Sequence, residues 1–329
     1  MNDYIISLDV GKYETKAIGR CASDTTESIR RVHFKTKLYD LKNGYVDLEG
    51  NSYKISYDKN NYIIGDQGET KSYETSKTNL LHKLAAYTAI TQFLTPDTEN
   101  NKIYLTLACP ISVLKVETAK EQYKDFIKND GPINIIVNEK NYNFEIEAIT
   151  IKAEGSGLVY TEPERFKNKT VLVTDFGGLN MGLALYRNKV CKPSDRFPEE
   201  LGSDALTEFI RTELIKCKNG NIVSVEQAEN ALDVGYMTKN SSPIPETIEA
   251  VKYGKEKFVS HALDVIARHN IHIDEVDSPV FVGGTTIKLK DILLKKVPNA
   301  YIPANSQWST AEGLYKVAFA KYTKMKKEG

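Results

Sequence analysis

Long apolar runs, net charge and clustered cysteines are all missing from this sequence, and each absence removes a class of function. No stretch approaches the roughly 18–20 apolar residues that a bilayer-spanning helix needs, so no membrane span is expected. Lys plus Arg equals Asp plus Glu at 44 each, so no global field draws the chain to nucleic acid or to an anionic membrane. Cys21, Cys109, Cys191 and Cys217 lie far apart, with no Cys-x-x-Cys and no nearby histidine. They read as reduced thiols of a cytosolic protein, not as a disulfide frame or a zinc site. Gly-x-x-x-x-Gly-Lys-Ser/Thr is absent, and no Gly-x-Gly-x-x-Gly follows the first strand, which excludes P-loop and Rossmann nucleotide sites. Met1-Asn2-Asp3 leads straight into a strand, so no signal peptide is expected. A single Trp beside 19 Tyr is unusual but carries no functional reading.

What is present is a globular composition, 41% apolar over 329 residues with interleaved charge, enough for two domains. The most informative stretch is Val171-Leu172-Val173-Thr174-Asp175-Phe176-Gly177-Gly178-Leu179-Asn180. An apolar strand ends in an acid that can hold a metal-bound water. Two residues without side chains then let backbone N–H groups close on phosphate oxygens. Alone it reads more readily as a plain hairpin turn. A near copy opens the chain, where the strand at 4–9 ends in Asp9, Gly11 turns it, and a returning strand at 15–21 carries Lys16. Lys16 is either a solvated strand residue or an inward cation for phosphate.

The remaining elements follow from periodicity and punctuation. Residues 29–65 alternate in short strands broken by Asn43-Gly44, Glu49-Gly50 and Asn60-Asn61, and a polar loop spans 66–79. Asn79 caps a helix whose apolar stripe is Leu80, Leu81, Leu84, Ala85, Ala89 and Phe93, ended by Pro96. A buried central strand is expected at 103–109, a helix at 112–129 with Val113, Val116 and Tyr123 on one side, and strands at 133–138 and 144–151. Glu154-Gly155-Ser156-Gly157 opens a short helix, where the acid either orients a water or caps the helix dipole. Leu201-Gly202-Ser203-Asp204 begins a helix whose N-terminus could face an anion. Helices at 225–234 and about 245–269 follow. A third strand ends in Val282-Gly283-Gly284-Thr285-Thr286, then come helices at 287–297 and 308–322. The lysines closing the last helix read as a solvated end.

These motifs, in this order, resemble those of the actin superfamily. Its first phosphate loop is Asp9-Val10-Gly11-Lys12-Tyr13-Glu14-Thr15-Lys16, its first connecting segment lies at Glu154, and its second phosphate loop is Asp175 to Asn180. The adenosine motif is Val282 to Thr286 and the second connecting segment is Ala311-Glu312-Gly313. Tyr62-Ile63-Ile64-Gly65 followed by Ser76-Lys77, and Asn305-Ser306-Gln307 followed by Gly313-Leu314-Tyr315, are most similar to the ParM-like plasmid-segregating actins of bacteria.

The resemblance implies an α/β actin-like fold: two similar domains, each a five-stranded mixed sheet flanked by helices, around a nucleotide cleft. Domain I would take 1–166 plus 300–329, with a small β-rich subdomain at about 29–95. Domain II would take 167–299, with a subdomain at about 203–270. It implies a filament-forming ATPase that uses ATP (or GTP) with Mg2+. Glu154 would orient the attacking water, and Asp175 would hold the metal-bound water network. Asp9 would share the metal shell through water, and Lys16 would meet the terminal phosphates. Gly11, Lys12 and Tyr13 would line the first loop; Gly177, Gly178, Leu179 and Asn180 the second. Gly283, Gly284, Thr285 and Lys288 would face the nucleoside, with Gly202 and Asp204 on the ribose side. The implied partners are further copies of the chain and a ParR-type adaptor on a centromere-like plasmid site, with no direct nucleic-acid or membrane contact.

Two positions depart from the family pattern. Lys12 stands where a Ser or Thr hydroxyl often follows the glycine, and Leu179, Asn180 and Gly182 replace the hydroxyl and acid of the second loop. A small-molecule kinase on the same fold would need an inserted substrate domain, and no insertion is large enough. A membrane-bound scaffold actin would want an amphipathic or apolar N-terminus, and 1–4 offers neither.

Overall fold

The computed structural model describes residues 2–24 and 29–328, so Met1 lies outside the described residues. The chain divides into two compact units: one runs to Pro163 and resumes at Trp308, the other is Glu164–Gln307.

The first unit is built on strands β1 (Asn2–Val10), β2 (Glu14–Cys21), β3 (Arg30–Lys35), β4 (Leu38–Asp40), β5 (Ser52–Tyr57) and β6 (Asn60–Gly65). Then come α1 (Leu80–Thr91), β7 (Asn101–Cys109), α2 (Ile111–Leu114), α3 (Glu117–Lys128), β8 (Ile133–Val137), β9 (Lys140–Ala153) and α4 (Gly157–Thr161). The core sheet has five strands in the order β3-β2-β1-β7-β9, with β1, β7 and β9 parallel. Because β1 and β7 are covered on both faces, their interiors read as near-continuous apolar runs, interrupted only by the buried hydroxyls of Ser7 and Thr106.

That sheet does not stop at five. The 14-residue β9 pairs its last part with β7 and its first part, Lys140–Phe144, with β8, which passes the ladder on to β5, β6 and β4. The result is one nine-stranded sheet. One long strand serves two neighbours, so the small β-rich region continues the core sheet. Helix α1 is buried nearly all round, not along one stripe, because it lies against β1, β2, β8 and α3. Asn79 caps it, its side chain accepting from His82 N.

The second unit holds β10 (Thr170–Phe176), β11 (Met181–Arg187), β12 (Arg196–Glu199), α5 (Ser203–Cys217), α6 (Val225–Val234), a two-residue pair β13 and β14 (Thr238–Lys239, Ser242–Pro243), α7 (Glu246–Arg268), β15 (Ser278–Val282) and α8 (Gly284–Lys296). Its sheet has four strands, β12-β11-β10-β15, with the place of a fifth reduced to a single parallel bridge between Val280 and Tyr301. The expected strand count of five thus becomes nine and four, on a fold class that stands. Helices α5 and α7 cross closely at Gly254, where a Cβ would lie 2.8 Å from Ile210 Cα. Helix α9 (Ser309–Glu328) returns to the first unit, packing Ala311, Tyr315 and Ala318 on Ile5 and Ile18.

Three helix boundaries differ from the sequence reading. The helix expected at 112–129 is two, because Val116 is extended (φ −112, ψ 107) and half exposed instead of buried. A β-branched residue gives up the helical region at little cost. The helix expected from 287 begins at Gly284, because the positive φ of Gly283 (+95) turns strand into helix in one step. Helix α9 runs on to Glu328, past 322. No helix among the described residues is long and apolar enough to cross a membrane.

Candidate functional site

In the first unit, β1 delivers Asp9 to the strand end, in register opposite Lys16 on β2. The turn between them closes by Gly11 N donating to Glu14 O at 3.0 Å. A Cβ on Gly11 would sit 2.5 Å from that oxygen, so the turn needs glycine. Lys16 is mostly buried and pairs with Glu14 at 3.0 Å. Lys12 reaches away from the turn: its ammonium donates to Tyr73 O (3.0 Å) and Thr75 Oγ1 (3.1 Å) in the loop 66–79. Tyr13 lies under the Lys71 ammonium, 4.0 Å from the ring centre.

Glu154 follows β9 directly. Its N–H donates to Cys109 O at 3.0 Å, which ties the ends of β7 and β9 together. It precedes α4 by more than a turn cap would, so it is not a first-turn dipole acid. Its carboxylate Oε1 instead meets Lys77 Nζ at 2.5 Å. Just beyond, α4 and α9 cross so closely that a Cβ on Gly157 would lie 1.8 Å from Ser309 O, and one on Gly313 would lie 2.0 Å from Gly157 O.

The electrostatics of this corner are strongly perturbed. Burial, followed by the charge of Glu154, pushes the Asp9 carboxyl above its ordinary range, with Lys77 and Lys16 pulling the other way. Burial alone would lower the Lys77 pKa, but Glu154 and then Asp9 outweigh it and hold it above the usual lysine value. Burial, then Lys77 and Lys12, drive His82 down to about 3, so that ring is neutral. Burial first, and Glu154 after it, push the Cys109 thiol up to about 12, which makes it inert.

In the second unit, Asp175 stands at the end of β10, paired in register with Gly182 on β11 and Val282 on β15. The turn 177–180 closes through Gly177 N to Asn180 O at 2.9 Å. Two helix starts converge on its double glycine. Ser203 N and Asp204 N, at the head of α5, donate to Gly177 O and Gly178 O, both at 3.0 Å. Thr285 Oγ1, in the first turn of α8, donates to Gly177 O at 3.0 Å. Gly202 is obligatory, since a Cβ there would come within 2.5 Å of Gly178 O. Gly283 is pressed against the acid: a Cβ would meet Phe176 O at 2.4 Å and Asp175 Oδ1 at 2.5 Å. Gly284 faces open space, and α8 starts without a side-chain cap, as an anion-facing helix start does. Lys288, further along α8, is engaged with Asp233 of α6.

The sequence residues therefore gather in two groups. Asp9, Gly11, Lys16 and Glu154 share the first unit's corner, with Lys12 and Tyr13 turned toward the loop 66–79. Asp175, Gly177, Gly178, Leu179, Asn180, Gly202, Asp204, Gly283, Gly284 and Thr285 gather at one turn in the second, while Lys288 is engaged with Asp233. Sequence reasoning missed Lys77 as a site residue. A single lysine in a polar loop has no periodic signal, and Ser76-Lys77 registered only as a group pattern.

A magnesium nucleotide can be tested against these groups. Among the described residues no cluster of three or more His, Cys, Asp or Glu is placed to cage a metal. Mg2+ typically takes only one or two carboxylates and keeps waters and phosphates as its other ligands. Each unit, taken by itself, offers one such acid at a strand end beside a glycine turn, Asp9 with Gly11 and Asp175 with Gly177.

Comparison with known proteins gives a consistent picture. Residues 7–157 match the family model described as actin like proteins N terminal domain. The Alp12 filament structure is 54% identical, covers 98% of this chain and 100% of that one, and has a TM-score of 0.72. Apo psk41 ParM shares the fold (TM-score 0.73, 13% identity, 99% of this chain and 100% of that one). So does Ta0583, an archaeal actin homolog, in complex with ADP (TM-score 0.74, 16% identity, 97% and 100%). No curated protein matches.

Proposed function

The chain belongs to the actin-like protein family, and from that premise we propose that it is a nucleotide-dependent filament former that hydrolyses ATP (or GTP) with Mg2+. The observation that carries the reading is 54% identity, over essentially the whole length of both chains, to a protein whose structure is a filament. The strand-end acids and bare glycine turns supply the matching chemistry.

In this reading the backbone of the turns at Gly11 and at Gly177-Gly178 receives phosphate oxygens, and the mostly buried ammonium of Lys16 neutralises them. Asp9 and Asp175 would hold water of the metal's hydration shell when Mg2+ is bound. Mg2+, when bound, withdraws charge from the phosphates. Glu154 orients the water that attacks the terminal phosphate and accepts its proton. The start of α8, with Gly283, Gly284 and Thr285, borders the nucleoside, and Gly202 and Asp204 border the ribose. Bound triphosphate favours subunit contacts and its hydrolysis weakens them, since a ligand shifts only the equilibria it binds differentially.

The similarity to ParM-like actins extends the proposal to plasmid segregation in the cytoplasm, with DNA held by a ParR-type adaptor on a centromere-like site. Equal numbers of acids and bases on the chain suit an indirect link to DNA. The test is sedimentation and negative-stain microscopy of the purified protein with Mg-ATP, Mg-GTP and Mg-ADP. Polymer with a triphosphate and none with ADP is expected. No polymer with either triphosphate over a wide protein concentration range overturns the reading.

A further inference from the structure

We propose that Lys77 is a positioning residue for Glu154, carried by a loop, 66–79, that Lys12 ties to the first phosphate turn. The inference rests on Glu154 being the residue that orients water.

Lys77 is unusual twice over. Its side chain is 2% exposed, and its backbone is left-handed at φ +57. A buried ammonium is expensive unless it is paired, and a left-handed lysine is strained. Both penalties persist at one residue only where the surroundings over-determine it. Here they do. Nζ is locked on Glu154 Oε1 at 2.5 Å, with Asp9 as a second nearby charge.

Burial also separates positioning from direct binding. At 2% exposure Lys77 has no face left for a ligand, whereas the Glu154 side chain is 31% exposed. The ammonium therefore fixes one carboxylate oxygen and leaves the group a solvent-facing side for a water. An acid at the end of a strand, followed by glycine, has rotational freedom that this contact removes. Holding a reacting group in one orientation is worth large factors in rate.

The loop is built to keep Lys77 there. Asn79 Nδ2 donates to Ser72 Oγ (2.9 Å) and Glu74 Oε2 (3.0 Å), which closes the loop on itself, while Asn79 Oδ1 caps α1. Lys12 ties the middle of the loop to the phosphate turn through Tyr73 O and Thr75 Oγ1, and Lys71 stacks on Tyr13. This gives the departure at position 12 a use: the lysine after Gly11 holds the loop that carries Lys77.

The test uses the full chain with Lys77→Met, Lys77→Arg, Lys12→Ser and Glu154→Ala. Readouts are affinity for a fluorescent ATP analogue, single-turnover phosphate release, and hydrogen exchange without nucleotide. Lys77→Met is expected to bind the analogue within threefold of the parent and to turn over at least tenfold more slowly, with Lys77→Arg recovering most of the loss. Adding it to Glu154→Ala should cost little more, because both act on one group. Lys12→Ser should raise exchange at 71–78 at least tenfold.

Turnover of Lys77→Met within twofold of the parent overturns the proposal, as does affinity that falls in step with turnover. If Lys77→Met does not fold, unchanged exchange at 71–78 in Lys12→Ser overturns it, and raised exchange with slowed phosphate release supports it. Normal hydrolysis by Glu154→Ala would instead remove the underlying role of Glu154, whatever Lys77 does.

Discussion

The two acid-tipped strand–turn–strand units share a plan and differ in material. At the first, Asp9 sits among ionised side chains: Lys16 paired to Glu14, Lys77 locked on Glu154, and Lys12 reaching to a loop. At the second, the turn after Asp175 is held mainly by backbone: a double glycine receives two helix starts, and the bare Cα of Gly283 packs against the acid. A cradle of fixed dipoles binds anions but moves no protons, whereas a cluster of coupled acids and ammoniums can. Under the proposed function, that difference would put proton chemistry mainly in the first unit and anion recognition mainly in the second.

The sharpest way to break that division is Glu154→Ala. Phosphate release should fall by about 10²–10⁴, the range typical of a lost general base, while Mg-ATP-driven assembly persists in sedimentation. Assembly lost together with hydrolysis would mean that the first unit is also the main source of binding.

Next in size is Gly283→Ala. Its Cβ would be forced into Asp175 Oδ1 and Phe176 O at a residue with φ +95. The expected loss is about 3 kcal/mol in denaturant unfolding, with weaker nucleotide binding.

The charge cluster of the first unit should also show in pH dependence. His82 is buried and neutral, Nδ1 bonded to Asn79 Oδ1 at 2.9 Å and Nε2 without a partner among the described residues. Its folded value of about 3 lies below the ordinary 6.5, so between these values the unfolded chain binds the extra proton and stability falls as pH falls. The cost at pH 5 is about 2 kcal/mol. A His82→Gln variant should lose that part of its acid sensitivity, and melts at pH 7 and pH 5 measure it. An unchanged pH difference would show that the ring accepts a proton in place.

The smallest effect isolates the cradle. Gly284→Ala places a Cβ in open space, so stability should change by less than about 0.5 kcal/mol, one residue away from a change of several. Any larger drop would mean that the start of α8 is less open than its geometry.

Legibility followed the range of the physics involved. Both strand-turn-strand units, the Asn79 cap and the apolar runs of β1, β7 and β10 were readable because each is written within a dozen neighbouring residues. Helix boundaries slipped where one backbone angle decided them, at Val116 and Gly283. The continuity of nine strands was hidden because it depends on which neighbours a long strand accepts along its two halves. Lys77 was hidden for a stronger reason: 77 residues separate it from Glu154, and nothing local to either marks the pair.

By itself the sequence determined the two acid-tipped strands, their glycine turns and the order of motifs that places the chain among actin-like proteins. Those features rest on local rules of periodicity, φ freedom and strand propensity. Only the tertiary structure decided which charges meet: that Lys12 holds a loop, that Lys77 is buried against Glu154, and that two helix starts close on Gly177 and Gly178. Charge pairing and desolvation depend on distance through space, and the linear order of residues does not carry that distance.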